Sequence, residues 1–86
     1  MLDVYQKVLV SWVDISSYDG AWMDLEEAIQ YSPISVETCG WMIKETNDYV
    51  VIASTLSVEK DNKVIGSVNA IPRGCIVCIN SLEAPF

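Results

Sequence analysis

The residues of this chain that could do chemistry are few, and their spacing limits what they could do. Cys75-Ile76-Val77-Cys78 has the C-x-x-C spacing of metal-binding and redox dithiols. On a strand, residues three apart point to opposite faces, so one site could not use both thiols. Cys39 is the third cysteine and there is no histidine, so a tetrahedral zinc set lies beyond a single chain. The thiols read as small core side chains, with a redox or metal role, including one shared between chains, as the weaker alternative. An odd number of cysteines also fits a reducing compartment better than a disulfide framework. Asp14 closes an apolar run two residues after Trp12 on the same face, where burial would suit it to acid–base work. Capping of the loop that follows is the favoured reading. There is no Gly-x-Ser-x-Gly elbow and no glycine-rich phosphate loop, so the usual nucleophile and base pairs cannot be assembled. The expectation is a protein that is not an enzyme and carries no cofactor.

Recognition is better represented. Three tryptophans, with Tyr18, Tyr31 and Tyr49, are more than so small a core hides easily. Trp12 and Trp41 are expected in the core. For Trp22 with Tyr18, at a loop and helix start, a surface recognition or oligomer contact is evenly matched with core packing. Arg73, a fork-shaped cation in a rigid corner, could anchor a carboxylate or a phosphate oxygen, against the plainer reading of a surface salt bridge. Through Tyr31 the acids Asp3, Asp14, Asp19, Asp24, Glu26 and Glu27 face Lys7 alone. A solvated helix face explains this, and a docking patch for a basic partner is the sharper alternative. The candidate binding surface is Tyr18, Trp22, Asp14, Glu26 and Arg73.

These side chains need a frame, and 86 residues make one domain with a single small core, expected over 1–82 with a loose tail at 83–86. With 51% apolar and 20% charged residues the chain is too hydrophobic for a disordered tail. Its apolar runs fall short of the roughly 18 residues that span a membrane. The start, MLDVYQKVLVSWVD, lacks the basic opening and small-residue cleavage site of an export signal, so cytoplasm is the expected location. The net charge is −7, and Lys7, Lys44, Lys60, Lys63 and Arg73 are scattered, which disfavours generic nucleic-acid binding.

The longest apolar segment, Val36 to Ser57, reads as a β-hairpin around Glu45-Thr46-Asn47-Asp48, where Asn-Asp tolerates the positive φ of tight turns. Cys39, Trp41 and Ile43 share one face of the first arm, and Val50, Ile52 and Leu56 share a face of the second. Val4 to Ile15 is apolar on both alternating faces after Lys7, as in a central strand. Trp22, Leu25, Ala28 and Ile29 fall at helical spacing, with Asp24 and Glu27 placed for a capping box, and Ser32-Pro33 ends that helix. Glu59 to Lys63 is a charged turn. Val64 to Ile71 is a fourth strand with Gly66 as a bulge or close-approach point. Ile71-Pro72-Arg73-Gly74 is a tight turn relying on the freedom of Gly74, and Cys75 to Ile79 is a last short strand trailed by Leu82.

This order matches a mainly β fold: a five-stranded SH3-like small barrel with one short helix in the long loop after the first strand. Ala70-Ile71-Pro72-Arg73-Gly74-Cys75-Ile76 is similar to the Ile-Pro-x-x-Tyr-Val corner of Src-homology-3 domains. Their Ala-Leu-Tyr-x-Tyr loop is absent, so proline-rich peptide recognition does not carry over. Closure into a barrel would remove most of the edge that short strands expose. Trp12-Val13-Asp14, Asp24-Leu25-Glu26-Glu27-Ala28, Cys39-Gly40-Trp41-Met42-Ile43, Asp48-Tyr49-Val50-Val51-Ile52-Ala53 and the same corner together resemble a group of short tailed-phage proteins. That resemblance implies a viral origin and no reaction, and raises a host-directed accessory role, such as inhibition of bacterial immunity. The expectation is a non-catalytic, oligomeric binding protein in the host cytoplasm, docking on a host protein. The alternative is an oligomer that sequesters a small nucleotide-like signal.

Overall fold

The computed structural model describes residues 5–57, 59 and 64–82. Five strands form one antiparallel sheet: β1 (Gln6–Asp14), β2 (Ile34–Glu45), β3 (Tyr49–Leu56), β4 (Ile65–Pro72) and β5 (Ile76–Ser81). Their order is β4-β3-β2-β1-β5, so the last strand returns beside the first. A short helix, α1 (Leu25–Ile29), lies between β1 and β2, and a 3-10 turn (Arg73–Cys75) joins β4 to β5. The expected charged turn at Glu59–Lys63 and the tail at 83–86 fall outside the described residues, apart from Glu59.

Alternation decides which side chains meet. Val8 and Val10 of β1, Val50 and Ile52 of β3 and Ile71 of β4 are buried together, with Trp12, Met42, Cys75, Ile76 and Ile79 packed around them. The pairings Val10↔Ile79, Val50↔Ile71 and Met42↔Ile52 put these residues on one face. Each buried aliphatic side chain contributes about 1.5–3 kcal/mol. Trp12 is fixed at its rim by donating Nε1–H to Thr38 Oγ1 at 3.0 Å. The other face carries Trp41, paired with Lys7 and Ala53, and the Lys7 ammonium stands 5.5 Å from its ring centre. Trp41 is half-buried there, and its Nε1 is buried without a hydrogen-bond partner.

The sheet is curled but not closed. Four strand spacings of about 4.8 Å would hold β4 and β5 roughly 19 Å apart in a flat sheet. The path from Pro72 to Ile76 reaches at most about 14 Å extended, and less as a 3-10 turn. The strands must therefore curl until the two edges approach at that corner. The barrel expected from the strand order is corrected on this point: β4 and β5 do not pair among the described residues, and each is an edge. A register shift between Met42 and Lys44 sharpens the bend in β2, and another between Ser11 and Trp12 kinks the β1–β5 pair.

Local expectations are corrected in three places. The β2–β3 turn uses no positive φ; Thr46 holds it by accepting from Asp48 and Tyr49 N–H at 3.1 and 3.0 Å and donating to Tyr49 O. The positive φ in β4 falls on Ser67, at 54°, and the pairing with β3 keeps its register past Gly66, so the expected bulge is absent; Gly74 needs no left-handed backbone in its turn. Asp24 caps α1 by position, but its side chain makes no capping bond, so the capping box is absent.

Gly40 is required for close approach. A Cβ there would stand 2.5 Å from Ala53 O and 2.8 Å from Ile52 Cγ2, whereas one on Gly74 meets nothing within 4 Å. Gly40→Ala is expected to lower stability by about 1–3 kcal/mol in urea denaturation, and Gly74→Ala to leave the midpoint nearly unchanged.

Candidate functional site

Between β1 and β2 the chain leaves the sheet and returns nineteen residues later without joining the core. In this arm Trp22 is 89% exposed, Ile15 80%, Leu25 75% and Ile29 71%, and α1 buries none of its side chains. The helical spacing read from the sequence is real over five residues, yet the apolar stripe it creates faces solvent. The base of the arm is tied by Ser16 Oγ donating to Ser32 O at 2.6 Å. At its tip the Tyr18 ring lies over Gly20, where an added Cβ would collide with Cε2 and Oη. The arm is thus shaped, although nothing among the described residues covers it.

Asp14, Tyr18, Trp22 and Glu26 all belong to this arm or its root. Asp14 is exposed and its Oδ1 accepts from Ile15 N–H at 2.8 Å, the loop-capping role. Between Lys7 and Lys44 the chain carries Asp14, Asp19, Asp24, Glu26, Glu27 and Glu37 and no base. Arg73 is placed elsewhere. Its Nε donates to Thr46 O at 3.1 Å and its Nη2 to Glu45 Oε2 at 2.7 Å, while its backbone N–H donates to Asp48 O at 2.8 Å. The guanidinium clamps the 3-10 corner onto the β2–β3 turn, which is the salt-bridge reading with two backbone bonds added. Only the neighbours of Arg73 approach the arm: Gly74 and Cys75 line a shallow groove with Val13, Asp14, Ile15 and Pro33.

The grooves at this end of the sheet are open. One is lined by Ile15, Ser16, Tyr31, Ser32 and Pro33, another by Ser11, Trp12, Ser35, Val36, Glu37 and Val77. None of the three includes a lysine or arginine, and two include a carboxylate. Lys44 is engaged with Tyr49, its Nζ 3.0 Å from the phenol oxygen. Cys75 packs against the core while Cys78 is exposed on β5, so the C-x-x-C does not converge on one point. Reading the sequence located Tyr18 and Trp22, but missed Leu25, Ile29 and Ile15 as surface. Their helical spacing is the same whether a helix packs inward or outward.

Comparison with protein-family models, curated proteins and solved structures finds no match for this chain.

The clamp at Arg73 has a measurable signature. Arg73→Ala is expected to cost about 1–2 kcal/mol of stability through the lost carbonyl bond. Glu45→Ala, removing only a half-exposed ion pair, should cost under about 1 kcal/mol. Thermal melts of both variants, beside Arg73→Lys, which cannot reproduce the fork, check this.

Proposed function

We propose that this chain is a non-catalytic binding protein that docks on another protein through the arm between β1 and β2. The observation that carries the reading is the exposure of Trp22, Leu25 and Ile29 together on an element that no other part of the described residues covers. Covering each of these would gain about 1.5–3 kcal/mol, and aromatic residues in such positions supply much of the energy of protein interfaces. The acids around them choose the partner's sign. Asp14, Asp19, Asp24, Glu26 and Glu27 favour a basic surface and speed encounter with it.

The resemblance to short tailed-phage proteins supports a host-directed accessory in the host cytoplasm, with a bacterial defence protein as the kind of target such accessories meet. The strand order and the one-turn corner support placing the curled sheet as an opened relative of the SH3-like small barrel. The oligomeric state belongs to the same reading. Sequestration of a nucleotide-like ligand has less support: a phosphate needs converging positive charge, Arg73 is held by Glu45 and Thr46, and the grooves beside the arm offer acids.

Affinity capture from a bacterial lysate tests the docking reading. The wild-type chain is expected to retain a basic protein, with retention falling as salt rises. Tyr18→Ala with Trp22→Ala should abolish retention while changing stability by less than about 0.5 kcal/mol, since both side chains are exposed. A melting-temperature rise of several degrees with nucleotides, together with no captured protein, would instead favour sequestration.

A further inference from the structure

We propose that Tyr18 is the brace of the docking arm: its ring, packed on the bare Cα of Gly20, sets the path of the chain into Trp22. Tyr18 is then a positioning residue, and the arm meets its partner already shaped. What the brace does for docking rests on the function proposed for the arm; the brace itself is a property of the free chain.

Little else shapes the arm at this point. From Ser17 to Met23 the chain forms no backbone–backbone hydrogen bond among the described residues, and none of these residues is buried. On one side Ser16 Oγ fastens the base of the arm to Ser32 O, and on the other α1 begins with Ala28 N–H donating to Asp24 O at 3.0 Å. Trp22 stands between these two fixed points and is 89% exposed. Packing of its own ring does not hold it, so its direction is inherited from the backbone that leads into it.

The contact between Tyr18 and Gly20 acts on that backbone. A Cβ built on Gly20 would overlap Cε2, Cζ and Oη of Tyr18. Gly20 has no positive φ, so the position does not use the left-handed freedom of glycine; it uses the missing side chain. The ring of residue 18 occupies that space and narrows the conformations open to Asp19 and Gly20, of which glycine has the widest range to lose. Tyr18 is 53% exposed, well below Trp22, so part of its surface is already covered within the chain.

A loose arm would lose its conformational freedom at the moment of contact, which weakens binding. A braced arm has lost it on folding. The contact energy then belongs to Trp22, Leu25 and Ile29, and Tyr18 acts through Gly20.

Nuclear magnetic resonance of the free wild-type chain should show Overhauser contacts between the Tyr18 ring protons and the Gly20 α-protons. Backbone order parameters through 17–23 should lie near the rigid value of about 0.85. Gly20→Ala, which keeps every aromatic side chain, and Tyr18→Ala should each lower them below about 0.6 while leaving the melting temperature unchanged. Tyr18→Phe keeps the ring and should keep the order. Gly20→Ala and Tyr18→Ala should each weaken retention of the protein captured by wild type about ten-fold, and the double variant no further, since both remove one contact. Missing Overhauser contacts, or an arm equally ordered in Gly20→Ala, would overturn the proposal. So would retention that falls in Tyr18→Ala but not in Gly20→Ala, which would make Tyr18 a contact residue. An ordered, Gly20-dependent tip on a chain that captures no protein would uphold the brace and sink the docking function instead.

Discussion

Three residues between the two edges of a five-strand sheet impose the shape of this molecule. Because Arg73–Cys75 is the whole connection between β4 and β5, the intervening strands have to curl until their outer members nearly meet. Curling creates the concave face in which Val8, Val10, Val50, Ile52 and Ile71 find one another. The corner is fastened from both sides. Arg73 reaches the β2–β3 turn with its backbone and its guanidinium, while Cys75 and Ile76 plug the end of the core. Core, hairpin turn and corner are thus coupled, and the guanidinium is committed to that task.

The same geometry accounts for the unequal fate of the aromatic residues. Trp12 lies on a strand that borders the concave face and gains a partner in Thr38. Trp22 lies on an excursion that leaves the sheet at the end of β1 and returns at β2, with no layer among the described residues to receive it. A small domain has little apolar surface to spare, so a tryptophan, a leucine and an isoleucine left in water together make sense as material for an intermolecular contact. Electrostatics then divides the surface. The arm and its root carry Asp14, Asp19, Asp24, Glu26 and Glu27, while β5 carries no charged side chain.

Much of the frame could be read from residue patterns because period-two alternation reports which side chains share a face. The five strands and the hairpin around Thr46 follow from it, and the short helix near Leu25 follows from the change to helical spacing. Closure could not be read this way, since it depends on how far the sheet curls and on whether the backbones of β4 and β5 come into register. Turn details were also hidden. Asn47 and Asp48 advertise a positive φ, but the hydroxyl of Thr46 stabilises an alternative that needs none. Gly66 advertises a bulge, but β4 keeps its register against β3 past it, and the positive φ sits on Ser67. The role of Arg73 depends on Glu45 and Thr46, distant in sequence, so no local motif could have disclosed it. For the arm, Tyr18 and Trp22 stood out as aromatics in a loop, but helical spacing at Leu25 and Ile29 is silent about which way a helix faces.

The return of β5 to the side of β1 also governs when the sheet can be completed. The meander from β2 through β4 joins neighbours by short turns, so its contacts can form as the chain lengthens. β1 gains one neighbour when β2 appears, but Val8 must wait for Ser81 and Val10 for Ile79. Closing a loop of this length is entropically slow compared with zipping a hairpin. On the ribosome, the β5-facing edge of β1 therefore stays unpaired until nearly all the described chain has emerged, and the strand that finally pairs with it is itself an edge among the described residues.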